Sequence, residues 1–186
     1  MARNNAILGW DGYHEHPIRV DHETGSLVTV AHASMEVHEG HAHSCTWSVA
    51  SIGALDNDVM QLTWTTPNTE NYMHMVIHAK CSALALFRFN EGWTGGGTAA
   101  GTQLVNNRNR NSNNVSSVTV SYGYTIVTGG VNLKTEYLAA GKFGSGEYRS
   151  INEWILRRNT NYAVNLFLDA AEEAVISLHW YEHIKD

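Results

Sequence analysis

The sequence contains few prolines, few cysteines and few charged residues. Of its 186 residues, two are proline, two are cysteine and 16% are Asp, Glu, Lys or Arg. Two cysteines form at most one disulfide bridge, which excludes a scaffold held together by disulfides. Asn, Thr, Ser and Gly take the place of charged residues. This composition favours loop-rich β structure over surface helices, which are usually rich in Glu, Lys and Arg.

The sequence also lacks a basic surface, an apolar leader segment and a membrane-spanning run. The formal net charge is −6, which disfavours electrostatic binding to the phosphate backbone of nucleic acids. No stretch reaches the roughly 18 apolar residues of a transmembrane helix, and residues 1–6 do not begin a signal peptide. We therefore expect no nucleic-acid partner, no membrane partner and synthesis in the cytosol. In that reducing compartment, Cys45 and Cys81 are expected to be buried free thiols, because both lie in apolar alternating runs.

Apolar and polar residues alternate along most of the chain after Leu27. The clearest runs are Cys45–Val49, Met60–Trp64, Met73–Ala79, Ala83–Phe89, Val118–Ile126, Val164–Leu168 and Ile176–Trp180. A period of two predicts pleated strands with one buried face, and turn signals such as Pro67-Asn68 and Gly129-Gly130 separate them. We therefore predict an all-β fold, an antiparallel β-sandwich formed by residues 26–186 as a single domain. Trp47, Trp64 and Trp180 are predicted core residues.

Two segments keep a helical alternative. Asn152–Arg158 places Trp154 and Ile155 on one possible helix face, and Asp169–Val175 is rich in Ala and Glu. Because alternating strands flank the second segment closely, we interpret residues 169–173 as a hairpin loop between those strands.

Residues 1–25 show no sustained period and are polar, aromatic and rich in histidine, so we predict an extended N-terminal arm. The arm nevertheless carries apolar side chains, which suit a segment that orders on binding a partner. The expected partner contacts are Ile7, Leu8, Trp10, Tyr13 and Ile18, with Trp93 in the Gly- and Asn-rich loop region Gly92–Asn114. The alternative is that the arm packs on its own sandwich as an edge strand.

Eleven histidines are present, and the densest group is His38-Glu39-Gly40-His41-Ala42-His43. In a strand, His41 and His43 would point to the same side, and a zinc ion would need a further ligand such as His38 or Glu36. The spacing of these residues does not match that of any recognised zinc-binding motif. We therefore expect no metal and no cofactor.

The sequence offers no recognisable catalytic constellation. A Gly-x-Ser-x-Gly nucleophile elbow is absent, and Gly95-Gly96-Gly97 lacks the Lys and Ser/Thr of a phosphate-binding loop. Cys45 is close to His41 and His43 in sequence, but strand neighbours do not by themselves give nucleophile–base geometry. We predict that the chain is not an enzyme and has no catalytic residues. Structural roles are expected for the remaining histidines of the alternating runs, His74, His78, His179 and His183.

Several motifs follow one another in a characteristic order. They are His38-Glu39-Gly40, Thr66-Pro67-Asn68-Thr69, the run Asn107–Asn111, the segment Asn152–Tyr162 and the closing His179–His183. From about Ala31 to His183, their order and spacing resemble those of small virion proteins of tailed bacteriophages, often found with capsid genes. The resemblance implies a capsid decoration or cement protein of jelly-roll type, without catalytic residues. It also implies a homotrimer that binds the major capsid protein on the outer surface of the virion shell.

Two other functions stay open at this point. Aromatic residues such as Trp10 and Trp93 would also suit a carbohydrate- or receptor-binding module of a phage head fibre or tail. A cupin-like metal enzyme is another jelly roll, and it would require His38, His41 and His43 to meet inside the barrel.

Overall fold

The computed structural model of the chain contains two antiparallel β-sheets packed face to face, which confirms the predicted all-β sandwich. It describes residues 8–10, 15–17, 32–50, 59–69, 71–96, 98–124, 126–138, 146–150, 153–168 and 173–184. The chain divides into two compact units, Met1–Met35 and Glu36–Asp186, and the sandwich lies in the second unit. No helix among these described residues is long and apolar enough to cross a membrane.

The described residues form one helix and sixteen strands, numbered here in chain order. The first are β1 (Leu8–Trp10), β2 (Glu15–Pro17), the helix α1 (His32–Glu39), β3 (Ala42–Val49), β4 (Val59–Thr65), β5 (Asn71–Cys81), β6 (Ala85–Glu91) and β7 (Thr94–Gly96). They are followed by β8 (Gly101–Thr102), β9 (Asn106–Asn107), β10 (Val120–Tyr122), β11 (Ile126–Thr128), β12 (Val131–Leu138), β13 (Gly146–Arg149), β14 (Trp154–Leu156), β15 (Asn161–Leu168) and β16 (Ala174–Ile184).

Each sheet of the sandwich has six strands. Sheet one has the order β12-β6-β15-β4-β10-β8. Sheet two has the order β13-β5-β16-β3-β9, and β14 pairs with β5 on the same edge as β13. The last two strands, β15 and β16, therefore lie in the interior of the two sheets.

The main strands of the sandwich pair as two antiparallel arms, one formed by β3 to β6 and the other by β12 to β16. The first strand of one arm pairs with the last strand of the other, so that together they form a long ribbon. The pairs are β3 with β16, β4 with β15, β5 with β13 and β14, and β6 with β12. Successive strands in each arm of the ribbon alternate between sheet two and sheet one. Ala42 at the start of β3 consequently lies opposite Tyr181 near the end of β16.

The core lies between the sheets and is formed by the apolar residues of the alternating runs. The predicted core positions Trp47, Trp64 and Trp180 are confirmed, since their side chains are 8%, 2% and 2% exposed. The Trp64 ring stacks with the rings of Phe89 and Tyr162, at centroid distances of 6.1 and 5.8 Å. Strand alternation thus directs these large aromatic side chains away from water, where their burial contributes most to stability.

Two local interpretations of the sequence are wrong. Residues 154–156 form strand β14, so the helical alternative for Asn152–Arg158 fails for its described part. Residues 169–173 do not connect a hairpin, because β15 belongs to sheet one and β16 to sheet two. The connection therefore crosses between the sheets, and each strand finds its partners far away in the sequence.

The loop region Gly92–Asn114 contains three short strands that the alternation pattern did not predict. Strand β8 extends sheet one beyond β10, and β9 extends sheet two beyond β3. Between β8 and β9 the chain passes from the edge of sheet one to the edge of sheet two. The region therefore belongs to the sandwich and is not only a surface loop.

In the segment predicted to be an extended arm, the described residues form a two-stranded antiparallel ladder, with Leu8 opposite Pro17 and Trp10 opposite Glu15. The described part of the predicted arm therefore has local strand structure in β1 and β2. Three of the predicted partner contacts, Ile7, Tyr13 and Ile18, lie outside the described residues.

Candidate functional site

Helix α1 ends at Gly40 in a Schellman motif. The Gly40 N–H donates to the Val37 carbonyl at 3.1 Å, and the His41 N–H donates to the Glu36 carbonyl at 2.9 Å. Gly40 adopts a φ of +80°, and a Cβ added there would lie 2.6 Å from the Cβ of Ser112. Glycine is therefore required twice at this position, by the left-handed backbone and by the close approach of the neighbouring loop.

Three consecutive carbonyl groups at the end of α1 accept hydrogen bonds from three asparagine side chains of one loop. The Nδ2···O distances are 2.7 Å from Asn107 to Gly40, 2.9 Å from Asn109 to His38 and 3.4 Å from Asn114 to Glu39. We call these three asparagines the asparagine clamp. The last carbonyls of a helix lack partners within the helix, so the clamp supplies them. The His-Glu-Gly and Asn-Arg-Asn motifs of the sequence are thereby in direct contact.

Glu36, Glu39 and His41 bring three potential metal-ligand atoms together just outside the clamp. The Nδ1 atom of His41 lies 3.1 Å from Oε2 of Glu36 and 3.6 Å from Oε2 of Glu39. All three ligand atoms lie within 4.8 Å of one another. Glu36 is buried, His41 is partly buried and Glu39 is exposed. We call this group the Glu/His cluster.

The histidines 38, 41 and 43 do not converge, so the arrangement expected of a cupin-like enzyme is not formed by them. His38 is exposed on α1, and His41 precedes β3 rather than lying within it. His43 is 3% exposed, with its ring 5.9 Å from that of Trp180. Burial lowers the pKa of His43, although the Glu182 carboxylate opposes this shift. The strand considered for this histidine group therefore includes only Ala42 and His43, because residues 38–41 lie in the helix end and the turn before β3.

The outer face of sheet two carries further histidines in pairwise contacts. Tyr181 Oη donates to Glu153 Oε2 at 2.8 Å and lies 3.0 Å from His74 Nδ1. The His74 ring stacks on the Tyr181 ring at 4.7 Å, and His78 and His179 meet edge to face at 5.4 Å. Burial is the main cause of the raised pKa of Tyr181 and of the lowered pKa of both His78 and His179. His74, His78 and His179 thus contact other side chains of the sheet face. The side chain of His183 lies outside the described residues.

The Glu182 carboxylate binds the loop that follows the asparagine clamp to the last strand. It accepts hydrogen bonds from Trp180 Nε1 at 3.0 Å, Ser116 Oγ at 2.6 Å and the Ser117 N–H at 3.2 Å, and also from Ser117 Oγ. The closing Trp-Tyr-Glu-His motif therefore holds a loop in place.

A second pair of motifs meets at another turn. Thr66 Oγ1 donates to the Arg157 carbonyl at 2.5 Å and accepts from the Thr160 N–H at 3.0 Å. The Asn159 N–H donates to the Pro67 carbonyl at 3.2 Å. The Thr-Pro-Asn-Thr turn and the Arg-Arg-Asn-Thr turn thus hydrogen-bond to each other, and both serve the fold.

Trp93 was expected to be an exposed partner contact, and this expectation is wrong. Its side chain is 8% exposed, its Nε1 donates to the Tyr162 carbonyl at 2.9 Å, and its ring lies 5.3 Å from the ring of Tyr124. A glycine-rich sequence on both sides suggests a surface loop, but the indole finds both an apolar neighbour and a hydrogen-bond acceptor in the sandwich.

Two clefts lie at the edges of the sandwich. One, of about 770 Å³, lies between β12 and the β13–β14 edge and is lined by charged side chains with Tyr148 and Trp154. The other, of about 490 Å³, is lined by His43 and by residues between Thr102 and Thr119. At the second cleft, Leu104 and Val115 are 75% and 89% exposed. These two apolar side chains were missed at the sequence level, because they do not belong to any alternating run.

Neither cysteine thiol is activated as a nucleophile by a lowered pKa. Cys45 and Cys81 are buried and are not joined in a disulfide, as expected. Burial raises the pKa of Cys45 to about 11 and is also the main cause of the raised pKa of Cys81. Because the thiolate is the reactive form, both groups are held in their unreactive state at neutral pH.

No protein-family model, curated protein or solved structure matches this chain. Its function is therefore inferred from its own residues and from the resemblance of its motifs.

Proposed function

We propose that the chain is a non-catalytic virion structural protein that binds the outer surface of a tailed-phage capsid and stabilises the shell. The observation that carries the proposal is the exposure of Leu104 and Val115, which line the same cleft and have 75% and 89% of their surface facing solvent. Exposed apolar side chains that lie together are typical of a protein–protein contact. The motifs that resemble phage virion proteins hold turns and loops in place, which suits a protein whose task is structural.

The strand order supports the jelly-roll part of the proposal. Strands β3 to β6 pair in reverse order with β12 to β16 and alternate between the two sheets. This pairing supports an eight-stranded jelly roll in which β13 and β14 share one position. The fold alone does not choose the function, since jelly rolls occur in capsid proteins, lectins and cupins.

Stabilisation of a shell by such a protein is an effect of mass action. A ligand that binds only the assembled lattice shifts the equilibrium towards that lattice. We propose that the chain acts as a homotrimer on the major capsid protein. Three linked contacts bind with a higher overall avidity than one contact alone, so each contact can be weak. A trimer of this kind would bury on the order of 1,600 Å² in each specific interface, and light scattering of the purified protein tests its mass.

Two surfaces are candidates for the shell contact, the N-terminal segment and the Leu104/Val115 patch. The test is co-sedimentation of purified protein with emptied capsids, using a deletion of residues 2–20 and a Leu104→Asp/Val115→Asp variant. The matched control is Val131→Asp, a similar substitution at a side chain 61% exposed on β12. We expect the Leu104/Val115 variant to lose binding while its fold and oligomer remain, and Val131→Asp to bind normally. Normal binding by both the deletion and the Leu104/Val115 variant would reject both surfaces, and failure of the unmodified protein to bind would reject the proposed function.

The other functions receive less support. Among the described aromatic side chains, Tyr137 alone is exposed, so these residues do not form the exposed aromatic cluster that a carbohydrate-binding module would need. A cupin-like enzyme would need His38, His41 and His43 to converge, and they do not.

A further inference from the structure

We propose that Glu36, Glu39 and His41 bind one divalent transition-metal ion, with Zn²⁺ as the best-fitting ion. The inference goes beyond the proposed virion function and does not depend on it. It rests on the convergence of an imidazole nitrogen and two carboxylate oxygens within 4.8 Å of one another. Glu36 and Glu39 belong to the end of α1, and His41 belongs to the turn that follows it.

The distances between the ligand atoms suit a tetrahedral ion. In a zinc site with bonds of about 2.1 Å, neighbouring ligand atoms lie about 3.4 Å apart. His41 Nδ1 lies 3.1 Å from the Glu36 oxygen and 3.6 Å from the Glu39 oxygen. The Glu36 and Glu39 oxygens lie within 4.8 Å of each other, so they must approach each other further to reach bonding distance from one ion.

The donor set selects the class of ion. An imidazole with two carboxylates is typical of zinc and related transition metals, whereas Ca²⁺ and Mg²⁺ are bound almost entirely by oxygen. Three protein ligands leave one tetrahedral position open. Because Glu39 and His41 have side chains 53% and 43% exposed, that position is accessible to water.

The helix cap itself does not require these side chains. In a Schellman motif the residues at the positions of Glu36 and His41 commonly make an apolar contact, but here they place a carboxylate against an imidazole. Two carboxylates also lie in the last turn of α1, where the helix dipole disfavours negative charge. A divalent cation would offset both charges.

The surrounding structure fixes the backbone that carries the ligands before an ion arrives. The backbone of His41 is held by its hydrogen bond to the Glu36 carbonyl, and the asparagine clamp holds the carbonyls of residues 38–40. The turn that carries His41 is therefore anchored on both sides. A preorganised site loses less conformational entropy on binding than a flexible one.

The test is titration of chelator-treated protein with ZnCl2 by calorimetry, with elemental analysis of dialysed samples and Co²⁺ absorption as a report of tetrahedral coordination. We expect one Zn²⁺ per chain, a raised melting temperature with Zn²⁺, and no such response to Mg²⁺. His41→Gln and Glu39→Gln should each weaken Zn²⁺ binding at least about tenfold. His38→Gln, at an exposed histidine of the same helix outside the cluster, is the matched control and should bind as the unmodified protein does.

Two results would overturn the proposal. One is the absence of stoichiometric Zn²⁺ binding by the unmodified protein. The other is unchanged Zn²⁺ affinity in both His41→Gln and Glu39→Gln, which would assign the ion to other residues. Circular dichroism of the variants confirms that they are folded, and Glu39 is exposed, so its substitution leaves the core intact.

Discussion

The side chain of Asn107 donates a hydrogen bond of 2.7 Å to the carbonyl oxygen of Gly40, a residue 67 positions earlier in the chain. The same Nδ2 lies 3.0 Å from the Asn114 carbonyl, and the Asn107 Oδ1 accepts from the Asn109 N–H at 2.8 Å. One asparagine thus shapes its own loop and holds the end of α1.

Substitution Asn107→Ala should lower the free energy of unfolding by about 1–3 kcal/mol, since it removes a helix-end partner and two bonds within the loop. Urea denaturation followed by tryptophan fluorescence measures the change. Asn113→Ala, at an exposed asparagine of the same loop that is outside the clamp, should stay within about 0.5 kcal/mol of the unmodified protein. Equal effects of the two substitutions would show that the clamp contributes nothing to stability.

Substitution Gly40→Ala should be more costly than Gly92→Ala. Both glycines have positive φ, +80° and +69°, but a Cβ at Gly92 has no atom within 4 Å, whereas a Cβ at Gly40 overlaps Ser112. The backbone strain of about 1–2 kcal/mol is common to both, and overpacking at Gly40 adds about 1–3 kcal/mol. The comparison is made by thermal or urea unfolding. If Gly92→Ala destabilises the protein as much as Gly40→Ala does, the contact with Ser112 is unimportant.

Both thiols should react slowly with an aromatic disulfide reagent in the native protein. At pH 8 a thiol with a pKa of about 11, as for Cys45, is ionised to only about one part in a thousand. Burial also limits access to both cysteines. Labelling should become rapid for both in urea, and the intact mass should show no disulfide. Rapid native labelling of Cys45 would contradict its placement in the core.

The protein should become less stable as the pH falls from about 7.5 to about 5.5. Burial lowers the pKa of His43, His78 and His179 below their usual 6.5. In this range the unfolded chain binds more protons than the native state, so the free energy of unfolding decreases with decreasing pH, and the contribution is fully present only above pH 6.5. Urea unfolding at a series of pH values tests this.

The variant His43→Phe separates the contribution of His43 from the others. It keeps an aromatic ring against Trp180 and removes the titrating group. We therefore expect a shallower dependence of stability on pH for this variant. An unchanged slope would show that His43 does not take part.

Alternation predicted most of the strands, because the period of side chains along a strand is a local property. The run Met60–Trp64 lies in β4 and the run Ile176–Trp180 in β16, with the expected residues buried. Strand partners are not local. The alternating runs on either side of residues 169–173 looked like a hairpin, yet β15 pairs with β4 and β6, and β16 with β3 and β5.

The Glu/His cluster was missed because the geometry of His41 and His43 was considered only for a strand. The signal that could have corrected it is Gly40, since a glycine after Glu36-Val37-His38-Glu39 is typical of a helix end. The asparagine clamp and the burial of Trp93 depend on contacts between distant segments, which no local pattern reports.

The central positions of β15 and β16 have a consequence for the synthesis of the protein. Strand β16 lies between β5 and β3, and β15 lies between β6 and β4, so neither sheet can be completed while residues 161–184 are still inside the ribosome. Until then the nascent chain carries β3, β4, β5 and β6 without their central partners, with strand edges open to wrong pairing. Both sheets can therefore be completed only after translation of these strands, and pairing between segments far apart in the chain is expected to slow folding.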